Sequence, residues 1–234
     1  MTGWAPLIGV ALASSAVTAL GTVALTGAQS GEQVRTYLLD NPEVLQEAME
    51  RLRLKQAAAQ IAPLRRAIET PYAEGFIGAK DGDVTLVQFF DYACGYCKAS
   101  LADLNRLVRE DPKLKIVFRE LPILSRESEA AARVSLFAAE RGRYGAFHQA
   151  MYGAGRPSAT SIPAAARAAG LDPAALQPAL ASRRAEQEIA RNMELARALG
   201  FTGTPAWVVG DQLMSGAVGY EALKAAVAKA RARG

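Results

Sequence analysis

The hydrophobic pattern changes character three times along the chain. Thr2 to Ser30 has no charged side chain, and Pro6 through Leu25 is almost wholly apolar. From residue 32 to about 69 the apolar residues thin to a helical stripe: Val34, Tyr37 and Leu38, then Leu45, Met49 and Leu52. Beyond Tyr72 short β-rich runs alternate with helical periods. Val84-Thr85-Leu86-Val87-Gln88-Phe89-Phe90, with Gly82 before it, reads as a buried strand. Leu101, Leu104, Leu107 and Val108 follow at helical spacing, and Asp111-Pro112 ends that helix. Lys113 to Arg119 alternates, with Leu114, Ile116 and Phe118 on one face, and predicts a half-buried strand or one at a sheet margin.

Ser125 to Leu199 turns alanine-rich and helical. Val134, Phe137 and Ala138 line one helix, and Phe147 and Met151 another. Ser161-Ile162-Pro163 opens a third that Gly170 stops, and Asp172-Pro173 is a cap with a first-turn proline. Ile189, Met193 and Ala196 mark a longer helix ending at Gly200. Trp207-Val208-Val209, a Gly210-Asp211 turn and Gln212-Leu213-Met214 read as a hairpin. A helix from Tyr220 to Arg233 closes the chain, with Leu223, Ala226 and Val227 inward.

The pattern implies three segments: 1–30, 31–70 and 71–234, the last with a helical insertion at about 125–199. The first is an export segment, with Thr26-Gly27-Ala28 or Ala28-Gln29-Ser30 as cleavage sites. It has no Lys or Arg n-region and is long enough to span a bilayer, so an uncleaved anchor stays open beside the favoured cleaved signal. In the second, Asn41-Pro42-Glu43 restarts a helix. Pro63 interrupts it, and Thr70-Pro71 marks the junction. So thin a stripe makes no core alone and must pack on the third segment or on copies of itself.

Composition narrows the classes. Half the 234 residues are hydrophobic, and the net charge is +4 with a pI near 9.2. The basic residues are scattered and not interleaved with aromatics, which gives nucleic-acid binding little support. Cys94 and Cys97 are the only two cysteines, and this usage fits an oxidising compartment.

These two sit where the strand meets the helix. At a helix N-terminus the unpaired N–H groups and the positive end of the macrodipole favour thiolate over thiol. Cys94 is the expected attacking sulfur and Cys97, one turn in, the resolving one. A closed zinc site needs four ligands, and the chain adds only His148 to its two cysteines. A static disulfide across so small a loop constrains the unfolded chain little. Redox exchange is therefore the expected chemistry, with no cofactor and no metal.

Cys94-Gly95-Tyr96-Cys97 after Phe-Phe-Asp, then Phe118-Arg119-Glu120-Leu121-Pro122, then Gly203-Thr204-Pro205-Ala206, resembles the DsbA-like branch of the thioredoxin superfamily. Within it the chain is most similar to the suppressor-of-copper-sensitivity C proteins, over roughly residues 32–234. The resemblance implies an α/β thioredoxin-like fold with an inserted helical domain, preceded by an N-terminal helical oligomerisation segment. It implies a periplasmic thiol–disulfide oxidoreductase. Tyr37 to Leu45 resembles the segment that trimerises that family, so a homo-oligomer, a trimer, is expected. Pro205 is expected to be cis beside the dithiol, with the Thr204 backbone turned outward to bind an extended substrate. Gly95 and Tyr96 would tune the thiolate.

Two positions depart from the family pattern. Tyr96 cannot place a positive charge beside Cys94 as a histidine could, which predicts a less oxidising dithiol than DsbA. Gln88 stands where thioredoxins and DsbA carry a buried acid, and an amide cannot accept the Cys97 proton. Asp91 is a candidate acceptor, or simply a loop or cap residue. His148 is expected to be a surface or satisfied residue without a catalytic role.

The sequence thus predicts an isomerase or reductant acting on misfolded or cysteine-containing periplasmic proteins and kept reduced by a membrane redox partner. The rival readings are a monomeric DsbA-like dithiol oxidase and a Cu(I) carrier using both thiolates.

Overall fold

The computed structural model describes residues 31–233, so the export segment lies outside the described residues. The chain divides at Arg53/Leu54 into two units. In the first, residues 31–40 are helical, and Asn41 donates from Nδ2 to the Tyr37 carbonyl at 2.9 Å to close that helix. Helix α1, Glu43–Ile61, starts immediately after, as the Asn-Pro-Glu sequence predicts, and runs on into the second unit.

The second unit is built on a five-stranded sheet. Its strands are β1 (Phe76–Gly78), β2 (Val84–Phe90), β3 (Leu114–Glu120), β4 (Ala206–Val209) and β5 (Gln212–Ser215), in spatial order β1-β3-β2-β4-β5. β2 and β3 are parallel, with Val84 opposite Leu114 and Phe90 opposite Glu120, and the other pairs are antiparallel. Helix α3 (Gly95–Glu110) makes the crossover between β2 and β3. The insertion supplies α4 (Arg126–Glu140), α5 (Tyr144–Gly153), α6 (Ser161–Ala168), a 3₁₀ turn at Pro173–Ala175, α7 (Leu176–Leu180) and α8 (Arg183–Ala198). Helix α9 (Tyr220–Arg231) closes the chain. This is a thioredoxin-like fold with an inserted helical domain.

Alternation along the strands feeds two cores. Leu86 and Phe90 of β2, with Leu114, Ile116 and Phe118 of β3, pack against α3, α5 and α9. Val87, Phe89 and Val117 face the other way, against α8 and a short helix α2 (Arg65–Glu69). Trp207 and Phe147 lie fully buried in the first core.

One expectation is corrected. β3 is neither half-buried nor marginal: every residue from Ile116 to Glu120 is buried, because β1 pairs with its outer edge. β1 has only three residues, too few to show a period, so the alternation in β3 looked one-sided. The division at Arg53/Leu54, rather than at residue 70, reflects packing. Ile61 of α1 and Ile68 of α2 are fully buried against the sheet, so residues 54–69 belong to the catalytic body.

Candidate active site

Cys94 is the N-cap residue of α3 and Cys97 lies in its first turn. The Cys97 amide donates to Cys94 Sγ at 3.4 Å, so one orphan N–H of the helix is spent on the sulfur. Both cysteines are free thiols. Cys94 is 7% exposed and Cys97 1%, so the expected order of accessibility holds, though Cys94 is itself largely covered. Burial pushes the Cys97 thiol far above its ordinary value, with the neighbouring Cys94 adding to the rise. Gly95 and Tyr96 are exposed at the tip of the helix, Tyr96 to 70%.

The loop before β4 completes the site. The Thr204–Pro205 peptide is cis. The Cys94 thiol donates to the Thr204 carbonyl at 3.3 Å, so that carbonyl faces the sulfur rather than turning outward as expected. The structure therefore brings together Cys94, Cys97 and Thr204, with Pro205 buried next to them.

Asp91 is the scaffold of the approach to the motif. Its carboxylate accepts the Ala93 amide at 2.7 Å and the Ile123 and Leu124 amides at 2.9 Å each. Its carbonyl accepts the Cys94 amide at 3.0 Å and the Tyr152 hydroxyl at 3.3 Å. With its carboxylate committed to three backbone donors, Asp91 acts as the loop residue, and it ties the segment after β3 to the motif. Ile123 and Leu124, pinned this way, leave their side chains half exposed.

Gln88 is buried, with Nε2 unpartnered among the described residues. His148 is buried too, not at the surface. Its ring lies against Phe90, Phe118 and Tyr144, its Nδ1 is 3.0 Å from the Tyr92 hydroxyl, and desolvation holds it neutral, with a pKa of about 3.

The sequence reading missed the rest of this polar pocket: Tyr92, Ser135, Tyr144, Tyr152 and Glu120. One signal was available. Glu120 falls at an inward position of the alternation that carries Ile116 and Phe118.

Comparison with known proteins places this geometry. Residues 85–228 match the DSBA-like thioredoxin domain, and residues 29–59 match the copper resistance protein ScsC N-terminal domain. The chain belongs to the DsbA-like thioredoxin family. Its members include thiol–disulfide oxidoreductases, and this chain carries the corresponding fold. A thioredoxin-like oxidoreductase from Silicibacter pomeroyi is 42% identical, with a TM-score of 0.68 over 72% of this chain and 98% of that one. A periplasmic thioredoxin-like protein from Salmonella enterica serovar Typhimurium is 32% identical, with a TM-score of 0.66 over 72% of this chain and 96% of its own. A linker-deletion mutant of Proteus mirabilis ScsC is 28% identical, with a TM-score of 0.69 over 86% of this chain and 92% of that one. The curated relatives it matches, Na(+)/H(+) antiporters of two Salinispora species, are 27% identical. They align with 97% of this chain, which spans only 38% of their length.

Proposed function

We propose that this protein is a periplasmic thiol–disulfide oxidoreductase acting on protein disulfides as an isomerase or reductant. The observation that carries the reading is the contrast within the dithiol. Cys94 caps a helix at the mouth of the site and accepts a backbone amide, which positions it as the sulfur that attacks. Cys97 is buried and held as a thiol at neutral pH.

In the first step the Cys94 thiolate attacks one sulfur of a substrate disulfide. A Cys94–substrate bond forms and the other substrate sulfur leaves as a thiolate. A Cys97 that ionises reluctantly gives this mixed disulfide time to reshuffle. A second substrate thiolate can then displace Cys94, which is isomerisation. If none arrives, Cys97 loses its proton and displaces the substrate, leaving it reduced and the Cys94–Cys97 disulfide behind. A membrane redox partner then restores the dithiol. Tyr96 carries no charge, which keeps the dithiol less oxidising than one with a cationic neighbour.

The periplasmic assignment rests on the family resemblance and on the export segment. No helix among the described residues is long and apolar enough to cross a membrane.

Self-association is part of the reading. Val34, Tyr37, Leu39, Leu45, Met49 and Leu52 are each at least half exposed in the single chain. Burying them between copies, as a trimer, would also raise the effective concentration of Cys94 around one substrate. Deleting residues 31–53 should make the protein monomeric by light scattering. The deletion stops there because Ile61 and Ile68 belong to the core.

The deciding experiment compares refolding of scrambled ribonuclease with oxidation of reduced ribonuclease. Acceleration of the first supports the proposal. Acceleration of the second alone would identify an oxidase, and tight Cu(I) binding with negligible exchange would identify a carrier.

A further inference from the structure

The face of the sheet away from the dithiol carries a second concavity. Along β3, Ile116 and Phe118 face the core that holds Cys94 and Cys97, while Val117 and Arg119 face the other way. There a cavity of about 510 Å³ opens between α2, the Thr70–Pro71 connection and α8. That volume falls in the range of small-molecule sites, about 300–1,000 Å³. Four arginines line it, Arg66, Arg119, Arg184 and Arg191, against one carboxylate, Glu188.

The floor of the cavity is saturated. Arg119 Nη1 donates to Glu188 Oε1 at 2.7 Å and to Asn192 Oδ1 at 3.4 Å. Its Nε and Nη2 take up the carbonyls of Ala67, Ile68 and Thr70. The Arg119–Glu188 pair therefore leaves no net charge, and the backbone acceptors around it are spent.

The rim is the opposite case. Arg184, Glu188 and Arg191 stand four and three residues apart, so they share one face of α8, and Arg66 approaches from α2. Arg66 and Arg191 are exposed and make no ion pair among the described residues. Arg184 pairs with Glu140 at 3.7 Å, and the same Glu140 oxygen accepts the Tyr72 hydroxyl. Arg191 lies near enough to the buried pair to act on both members, disfavouring the Arg119 cation and favouring the Glu188 anion.

Like charges gathered in one concavity repel one another and focus their field on whatever enters it. With acceptors consumed and donors free, the cavity selects an acceptor-rich, negatively charged molecule. The planar fork of arginine matches carboxylate and phosphate groups alike.

We propose that this cavity is a binding site for a small anion carrying two or more negative charges as carboxylate or phosphate groups. Arg66, Arg184 and Arg191 hold the anion. Arg119 is the fixed floor and not a ligand, since all its donors are engaged. The arginines converge on one cavity instead of running as a stripe, which suits a compact anion and not an extended acidic chain. A bound anion joins α2 to α8 across the connection, above the clamp that Arg119 makes beneath. The site stands apart from the dithiol and takes no part in the exchange reaction.

The test titrates the whole protein with citrate and with pyrophosphate by calorimetry, at an ionic strength fixed with chloride. Saturable binding of one anion per chain is expected, and the urea midpoint should rise with the anion concentration. The preference between the two anions identifies the group the site takes. Arg66→Gln/Arg191→Gln should weaken binding about tenfold or more. Arg156→Gln/Arg167→Gln removes the same charge from exposed positions elsewhere and should leave binding unchanged.

Side-chain Nε–Hε resonances of Arg66, Arg184 and Arg191 should move as wild type is titrated, a readout that needs no variant. Titrations that never saturate, or equal weakening in both double variants, would reduce the effect to general charge and overturn the proposal. Binding that R66Q/R191Q leaves intact would place the anion elsewhere and overturn it too. Saturable binding of hexaglutamate, with none of citrate or pyrophosphate, would also overturn it by showing that an acidic chain is the occupant.

Discussion

Arg119 Nη1 and Glu188 Oε1 meet at 2.7 Å inside the domain, where the two side chains are 2% and 10% exposed. Burial shifts both partners toward their neutral forms, Arg119 downward and Glu188 upward, and their mutual attraction offsets only part of this. The guanidinium also donates from Nε to the Ile68 carbonyl at 3.1 Å and holds the carbonyls of Ala67 and Thr70. It is therefore a clamp between β3, α8 and the end of α2. Glu188→Ala should cost about 3–5 kcal/mol, because it strands a buried cation. The Arg119→Met/Glu188→Leu double variant should lose much less than the sum of the single changes. Urea unfolding of the wild type, Arg119→Met, Glu188→Leu and the double variant checks this, and strict additivity would show that the pair is not coupled.

Residues 54–69 offer a simpler test of where the catalytic body begins. Ile61 and Ile68 are fully buried among Val87, Phe89, Val117 and Leu199. Ile61→Ala and Ile68→Ala should each cost about 2–5 kcal/mol, the usual range for deleting so much buried hydrocarbon. Values under about 0.5 kcal/mol, as for exposed sites, would place the boundary back near residue 70.

What the sequence showed and what it hid follow the range of the interactions. β2, the cysteine-capped α3, the Gly210-Asp211 hairpin and the helical insertion were legible because each is encoded by local periodicity and punctuation. Gly210 illustrates this: it turns the hairpin at a φ of 56°, a conformation that other residues rarely adopt. The role of Arg119 was not legible, and that of Asp91 was legible only as a loop or cap residue, without its distant partners. Arg119 looked like the solvent side of a strand, and its partner Glu188 lies 69 residues further on. Asp91 takes two of its three donors from residues 32 and 33 positions away. His148, a lone histidine among alanines, gave no hint that Tyr92 and Phe118 would close over it.

His148 makes acid stability testable. Its folded pKa of about 3 lies below the ordinary value of about 6.5 because desolvation disfavours the cation. Its contribution is therefore complete above about pH 6.5 and is lost as the pH falls toward 3, where the unfolded chain binds a proton that the folded domain refuses. Within that window the folding equilibrium should fall up to about tenfold per pH unit on this account. His148→Phe should flatten that part of the urea-midpoint profile while leaving Tyr92 its Ser135 partner at 2.8 Å. An unchanged slope would show that the imidazole takes up its proton equally well in both states.

The two sulfurs should separate by mutation. Cys94→Ser removes the only nucleophile placed at the helix mouth, so insulin reduction should fall to the uncatalysed rate. Cys97→Ser keeps the attacking sulfur and removes the group that frees it, so the variant should accumulate as mixed disulfides with cysteine-containing substrates. Serine fits the site, since Cys97 packs one turn inside the helix and its backbone amide, which serves Cys94 Sγ at 3.4 Å, is retained. Non-reducing gels and intact mass measurement of the trapped species give the readout. If C97S released substrate as fast as wild type, the resolving sulfur would not be Cys97. A mixed disulfide formed by C94S through Cys97 would reverse the assigned order of attack.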